Sequence, residues 1–245
     1  MTQHGKNYRQ ARAKFDRETE YSPVQAIRLL KEFETAKFDE TVEVHFRLGL
    51  NVRHADEQLR GTLMLPHGTG RESRVAVFAE GDKAREAQEA GADVVGSADL
   101  AKQIEEGFTD FDVAIATPDQ MGTVGKLGRI LGPRGLMPNP KTGTVKMDVA
   151  KAVSDAKAGK LEYRTDRGAN VHVSIGKKSF DERQLTENYA ALVDEIIRAK
   201  PSASKGRYIR QITLTSTMGP GIHVDPARTR GIVEELEESA EPVSA

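Results

Sequence analysis

Leu65-Pro-His-Gly-Thr-Gly-Arg-Glu-Ser-Arg-Val-Ala-Val-Phe-Ala79 is the stretch where the chain changes style. Before it, Thr41 to Leu50 alternates, with Val42, Val44, Phe46, Leu48 and Leu50 on one face and Glu43, His45 and Arg47 on the other. A period of two means a strand with one face in a core and the other wet. After the Pro66 to Gly70 turn, Val75 to Ala79 is apolar without a break, the pattern of a strand buried on both faces. Two kinds of sheet therefore meet at this turn.

Downstream, the doubly buried style persists. Lys83 to Ala90 reads as a helix stopped by Gly91, Val94-Val95 as a short strand, and Phe111 to Ala116 as another buried strand. Ser97 is placed to cap a helix running through Glu106, and Pro118-Asp119 opens the next one. Asp148 caps a further helix with Val149, Ala152, Val153 and Ala156 on one stripe. Strand and helix in alternation predict a small open α/β domain.

From Leu161 the alternating style returns. Leu161 to Arg164 and Asn170 to Ile175 read as a hairpin across Asp166 to Ala169. Asp181 to Lys200 reads as a long helix, and Tyr208 to Thr217 as the last strand. Upstream, Ser22-Pro23 starts an amphipathic helix carrying Val24, Ile27, Leu30 and Phe33. Half-wet strands thus flank a block of dry ones. The assembly expected is a discontinuous α+β domain, 1–67 plus 160–230, interrupted by an inserted α/β domain, 68–159. Linkers near Pro66 to Gly70 and at Gly159 would permit hinge motion.

Composition narrows the chemistry. The 245 residues contain no Cys, so disulfides, thiolate zinc sites and cysteine nucleophiles are excluded. His4, His45, His54, His67, His172 and His223 show no metal-ligand spacing on a common helix, and no metal or cofactor is expected. The start has no apolar core of signal-peptide length and no later run approaches a bilayer span, so a cytoplasmic location is the expectation.

The net charge of −1 conceals an uneven distribution. Five Glu lie between 231 and 245 with no cation, leaving 36 basic and 32 acidic residues before them, a balance of +4. Residues 159–230 hold 13 Lys or Arg against 8 Asp or Glu, whereas 69–158 are slightly acidic, 12 against 14. A basic region on one domain is the footprint of a polyanion partner. The acidic tail, 231–245, is expected to be solvated and disordered.

Nucleotide-enzyme motifs fail on context. Gly68-Thr69-Gly70 precedes a strand instead of following one, and its third position is Ser73. Gly122-Thr-Val-Gly125-Lys126 lacks the phosphate-loop spacer and has Leu127 where Ser or Thr is required. No Ser sits in a G-x-S-x-G elbow, and no carboxylate pair sits in an acid/base motif. Gly125 to Pro140 interleaves glycines, prolines and the cations Lys126, Arg129 and Arg134, which suits a surface shaped for a partner. On the wet strands, Lys37-Phe38-Asp39-Glu40-Thr41 leads into one, and Thr213, Thr215 and Thr217 alternate along another that ends in Met218-Gly219. Hydroxyls and free backbone groups suit RNA. An RNA-binding structural protein, a nucleotide-dependent enzyme and a protein-interaction scaffold are then the classes in view, in that order.

The motifs resemble those of the L-one family of bacterial large-subunit ribosomal proteins. Ala36 to His45, Arg60-Gly61, Leu65 to Gly68, Glu89 to Asp93, Ala116 to Asp119, Lys126 to Pro140, Ile175 to Lys177, Ser179-Phe180 and Thr215 to Pro220 stand in family order. The resemblance, over residues 1 to about 226, implies a split β-α-β domain and an inserted three-layer α/β/α domain with a mostly parallel sheet. It implies no enzyme activity, and a monomer when free. The implied partners are the stalk region of the large (23S) rRNA, deacylated tRNA at the ribosomal exit site, the chain's own operon mRNA, which it would repress, and other subunit components. The implied rRNA-binding residues are Lys37, Phe38, Thr41, Glu43, Asp166, Arg167, Thr215, Thr217, Met218 and Gly219. Lys37 and Arg167 would meet phosphates, and Phe38 would pack against sugar or support the strand end. Lys126, Arg129 and Arg134 would form a secondary RNA or tRNA contact. Asp166-Arg167-Gly168-Ala169 departs from the family's Asp-Lys-x-Gly, which alters the expected turn.

Overall fold

Alternating stretches fold as strands with one dry face, and unbroken apolar stretches fold as strands dry on both. The computed structural model describes residues 4–240. They divide into two units, one holding the described residues up to Gly70 and from Tyr163 on, the other Arg71–Glu162. Each crossing lies three residues beyond the sequence estimate.

The chain opens with α1 (Lys6–Arg12), on which only Ala11 is buried, so no apolar stripe announced it. In α2 (Pro23–Lys31) the Ser22 hydroxyl accepts from Gln25 N–H, while the Gln25 side chain accepts from Ser22 N–H. After β1 (Thr41–Leu48) and β2 (Arg60–Met64) comes β3 (Val75–Phe78), buried at every position. There follow α3 (Asp82–Glu89), β4 (Val94–Gly96), α4 (Ala98–Glu105), β5 (Val113–Ala116), α5 (Met121–Lys126), α6 (Gly128–Leu131) and α7 (Val149–Lys157). The final run is β6 (Lys160–Arg164), β7 (Asn170–Lys177), α8 (Glu182–Arg198), β8 (Ile209–Ser216), β9 (Ile222–Val224) and α9 (Ile232–Ala240).

In the second unit β4, β3 and β5 form a parallel sheet in that order. Ala76 and Phe78 of β3 face Leu100, Ile104, Val124, Leu127 and Leu131, whereas Val75 and Val77 face Ala87, Val149 and Val153. Helices thus cover both faces, which is why these strands read as unbroken apolar runs. Asp148 caps α7 by accepting from Lys151 N–H at 3.1 Å. Ser97 occupies the expected cap position of α4 without capping it. Its hydroxyl donates to Glu80, and Asp99 accepts from Ser97 N–H at 2.8 Å.

In the first unit an antiparallel sheet runs β7-β1-β8-β9. Val42, Val44, Phe46, Val171, Val173, Ile212, Leu214 and Ile222 are buried, on the face against which α2 and α8 pack. The opposite face carries Glu43, His45, His172, Thr213, Thr215 and His223, half-buried or exposed.

Three further expectations are corrected. β6 does not form a hairpin ladder with β7 but pairs with β2. The turn closes and Thr165 bridges Val171, but Thr165 then bonds Leu59 through both its backbone N–H and its hydroxyl, which draws the chain toward β2. Tyr208 to Thr217 is not the last strand, since β9 follows it. The tail is not disordered over 232–240, where α9 stands. Ile232 and Leu236, four residues apart, are buried as α9 packs on α8 and α2, and Arg228 pairs with Glu235 at 3.3 Å. Residues 241–245 of that tail lie outside the described residues. Among the described residues no helix is long and apolar enough to cross a membrane.

Candidate nucleic-acid interface

Antiparallel pairing decides which sequence-predicted residues meet. β1 starts opposite the ends of both its neighbours, with Thr41 against Lys177 of β7 and Val42 against Ser216 of β8. Lys37, Phe38, Thr41, Thr217, Met218 and Gly219 therefore gather at one end of the sheet. Glu43 and Thr215 follow as a cross-strand pair on its open face. Asp166 and Arg167 lie at the other end, beyond the Arg47–Asn170 pair, about 20 Å of strand away.

Backbone and hydroxyl groups interlock at the first end. Thr217 N–H donates to Thr41 C=O at 3.1 Å, and Thr41 N–H donates to the Thr217 hydroxyl at 3.0 Å. Thr41 in turn accepts from the Lys177 ammonium at 2.9 Å. The Thr215 hydroxyl donates to Gly219 C=O at 3.2 Å, and Gly219 N–H donates to Ser216 C=O, closing a tight turn. A Cβ on Gly219 would stand 2.4 Å from the Ser216 hydroxyl oxygen, so the turn has no room for a side chain there.

The turn is held from below by residues that sequence reasoning left unassigned. Glu40 is 1% exposed. One carboxylate oxygen accepts from Met218 N–H at 2.8 Å and from the Ser216 hydroxyl at 3.2 Å. The other accepts from the Thr35 hydroxyl at 2.5 Å and pairs with the Lys178 ammonium at 3.7 Å. Asp39 accepts from both the backbone N–H and the hydroxyl of Ser179. A fully partnered buried carboxylate is a rigid anchor. Only the Asp39-Glu40 pair just ahead of an alternating strand hinted at it, and nothing in the sequence separates a buried Glu from a solvated one.

Above this base, Phe38 is 57% exposed and Met218 55%. They are two of five large apolar side chains left exposed among the described residues. Lys37 is exposed and Lys177 partly so. Rigid backbone, exposed apolar side chains and cations together can pack against sugars and bases while neutralising phosphates.

At the far end Asp166 is occupied with its own turn. One oxygen accepts from Gly168 N–H at 2.8 Å and Asn170 N–H at 2.7 Å, and the other from the Asn170 amide at 3.0 Å. Burial pushes this carboxyl up, but the hydrogen bonds from Asn170 and Gly168 outweigh it and hold it below the ordinary carboxylate value. Ala169 closes the turn at φ +61°, a left-handed conformation in which glycine is at ease. Arg167 is exposed.

A row of imidazoles crosses the open face between the two ends. His45 and His172 approach at 2.9 Å through their Nδ1 atoms, so at least one of the pair is a neutral acceptor. Asp166 lies 3.5 Å from His172, and Glu43 3.8 Å from His45. Burial lowers the His45 pKa, proximity to His172 lowers it further, and Glu43 partly opposes both.

Lys126, Arg129 and Arg134 belong to the second unit and are all exposed. Lys126 ends α5, Arg129 stands in α6, and Arg134 follows in the loop, where it donates to the Thr109 hydroxyl. The apolar residues between them, Leu127 and Leu131, are buried in the core.

Known proteins are closely similar to this chain in sequence. The chain is 63% identical over 225 residues to the large ribosomal subunit protein uL1 of Thermobifida fusca, covering 92% of this chain and 96% of that one. It is 61% identical over 234 residues to the protein of the same name from a Mycobacterium species (strain KMS), covering 96% and 100%. With that of Frankia alni it shares 59% over 230 residues, covering 94% and 97%. These relatives are ribosomal proteins and not enzymes. Residues 30–220 match the family model described as Ribosomal protein L1p/L10e family, and the chain belongs to that family.

Proposed function

We propose that the chain is a structural constituent of the large ribosomal subunit that binds a folded junction in the stalk region of the 23S rRNA through the Thr41–Gly219 end of its first unit. The observation that carries this is the turn Ser216 to Gly219, pinned from beneath by buried Glu40 while Met218 and Phe38 remain exposed. A surface so rigid and yet apolar is costly in water unless a partner covers it. The Thr217 to Gly219 backbone and hydroxyls read the shape of the RNA, and Lys37 and Lys177 meet its phosphates. Arg167, at the other end of the same sheet, reaches a separate stretch of the RNA.

In the same proposal, Lys126, Arg129 and Arg134 make the secondary contact, with deacylated tRNA leaving the exit site or with the rRNA beside it. A similar junction in the chain's own operon mRNA would occupy the first-unit surface and repress translation. Family membership and the basic stretch 159–230 support these roles.

The test is titration of the purified protein against a stalk rRNA fragment across a salt series. Tight binding at low salt, weakening linearly in log salt, is expected. No binding to that fragment at low salt would sink the proposal.

A further inference from the structure

The N-terminal segment builds a second basic feature on the first unit that none of the family-motif residues accounts for. Between α1 and the β8–β9 edge lies a cleft of about 530 Å³. His4, Tyr8, Arg9, Arg12 and Arg17 line one side, and Thr213, Gly221 and His223 the other. No carboxylate lines it, and among the described residues none of the three arginines has an ion-pair partner. Arg12 also lies over the Phe15 ring at 5.9 Å, and guanidiniums without a counter-charge that line a cleft are the donor set for phosphate.

Two further features point to a nucleic acid in particular. His4 and Tyr8 stack face to face with ring centroids 4.3 Å apart and 25° between planes, which leaves the outer face of the stack as an aromatic platform beside the cations. Platforms of this kind accept an unpaired base. On the opposite side, the Gln211 amide N–H donates to His223 Nδ1 at 3.0 Å, so the neutral ring carries its proton on Nε2 and is itself a donor.

The cleft is built into the fold. Lys14 donates to Glu32 C=O at 2.8 Å, and Asp16 N–H donates to the Tyr21 hydroxyl at 2.9 Å. Tyr21 bridges Val224 at the sheet edge, with its N–H on His223 C=O. It is also continuous with the open face of the sheet. His172 pairs with His45, His45 with Thr213, and Thr213 with His223, one residue on each of the four strands.

We infer that this cleft is a second RNA-binding site, in which Arg9, Arg12 and Arg17 hold consecutive phosphates and the His4–Tyr8 platform stacks an unpaired base of the same RNA. The inference rests on the proposed rRNA binding. It extends the interface from the Thr41–Gly219 end across the sheet to the N-terminal segment.

The test compares wild type, R9A/R12A/R17A and R9K/R12K/R17K, each checked for native circular dichroism and urea midpoint, on the stalk rRNA fragment over a salt series. The alanine variant is expected to bind at least about tenfold more weakly at low salt, with a log K against log salt slope shallower by about 2, as for three lost phosphate contacts at single-strand values. The lysine variant is expected to recover the slope and only part of the affinity, because charge is retained and the planar fork is lost. If the alanine variant keeps wild-type affinity and slope, the inference is overturned. If it does so and is nevertheless lost from salt-washed large subunits, the cleft belongs to an acidic protein neighbour, and the inference is overturned all the same. Wild type failing to bind the fragment at all would instead overturn the rRNA reading, and this inference with it.

Discussion

Two loops of this molecule carry glycine next to proline, and they use them in opposite ways. In the second unit, Gly125 to Pro140 turns its apolar residues inward. Leu127 and Leu131 are buried, Leu136 and Met137 pack on the same core, and the cations face out among exposed glycines and prolines. In the first unit, Ser216 to Gly219 turns its polar backbone inward onto buried Glu40 and leaves Met218 outside. Gly-rich sequence therefore marks both a covered core edge and an uncovered binding edge. What separates them is where the hydrogen bonds go.

The largest effect expected from breaking this contrast is on stability. Glu40→Ala deprives Met218 N–H and the hydroxyls of Ser216 and Thr35 of their acceptor and leaves the Lys178 ammonium without its counter-charge. Removing one partner of a buried pair costs about 4 kcal/mol, so the urea midpoint of the first unit should fall accordingly. An unchanged midpoint would mean that the turn holds itself together without the anchor.

Next comes affinity. Thr217→Val, Met218→Asp and Gly219→Ala together delete a hydroxyl, add a negative charge and force a Cβ against the Ser216 hydroxyl. Two or three lost hydrogen bonds amount to about 3 kcal/mol, or roughly a hundredfold in Kd for the stalk rRNA fragment. Equal affinity in this variant would move the interface elsewhere on the sheet. Replacing Lys126, Arg129 and Arg134 with Ala is expected to weaken binding of the same fragment by only about threefold at low salt, an effect that screening removes as salt rises. A loss as large as that of the first variant would reverse the ranking of the two loops.

The contrast also explains what the sequence disclosed. Strand faces were legible because Val42, Val44, Phe46 and Leu48 alternate, and the dry sheet because Val75 to Phe78 do not. Pairings between distant segments were not. Nothing local told Thr165 to bond Leu59, so β6 was expected beside β7. Helix α9 was hidden by its glutamates, although Ile232 and Leu236 carry the i,i+4 spacing that buries it. The candidate site was legible as residue types at strand ends, but the register of β1 with β7 sends Asp166 and Arg167 to the opposite end from Lys37. Glu40 stayed out of view because a buried carboxylate has no pattern of its own.

The smallest expected effect concerns that opposite end, where the turn is held by Asp166. Ala169 sits at φ +61°, and a Cβ in the left-handed region costs about 1 kcal/mol. Glycine there removes that cost, against about 0.5 kcal/mol of extra backbone entropy lost on folding. Ala169→Gly should therefore stabilise the first unit by about 0.5 kcal/mol in urea unfolding, with the Asp166 hydrogen bonds retained. Ala169→Val should destabilise it, because a β-branched side chain is still less tolerant of positive φ. If glycine instead lowers the midpoint, the buried methyl of Ala169 outweighs the relief of strain, and this turn, like the Gly125 to Pro140 loop, is held by packing.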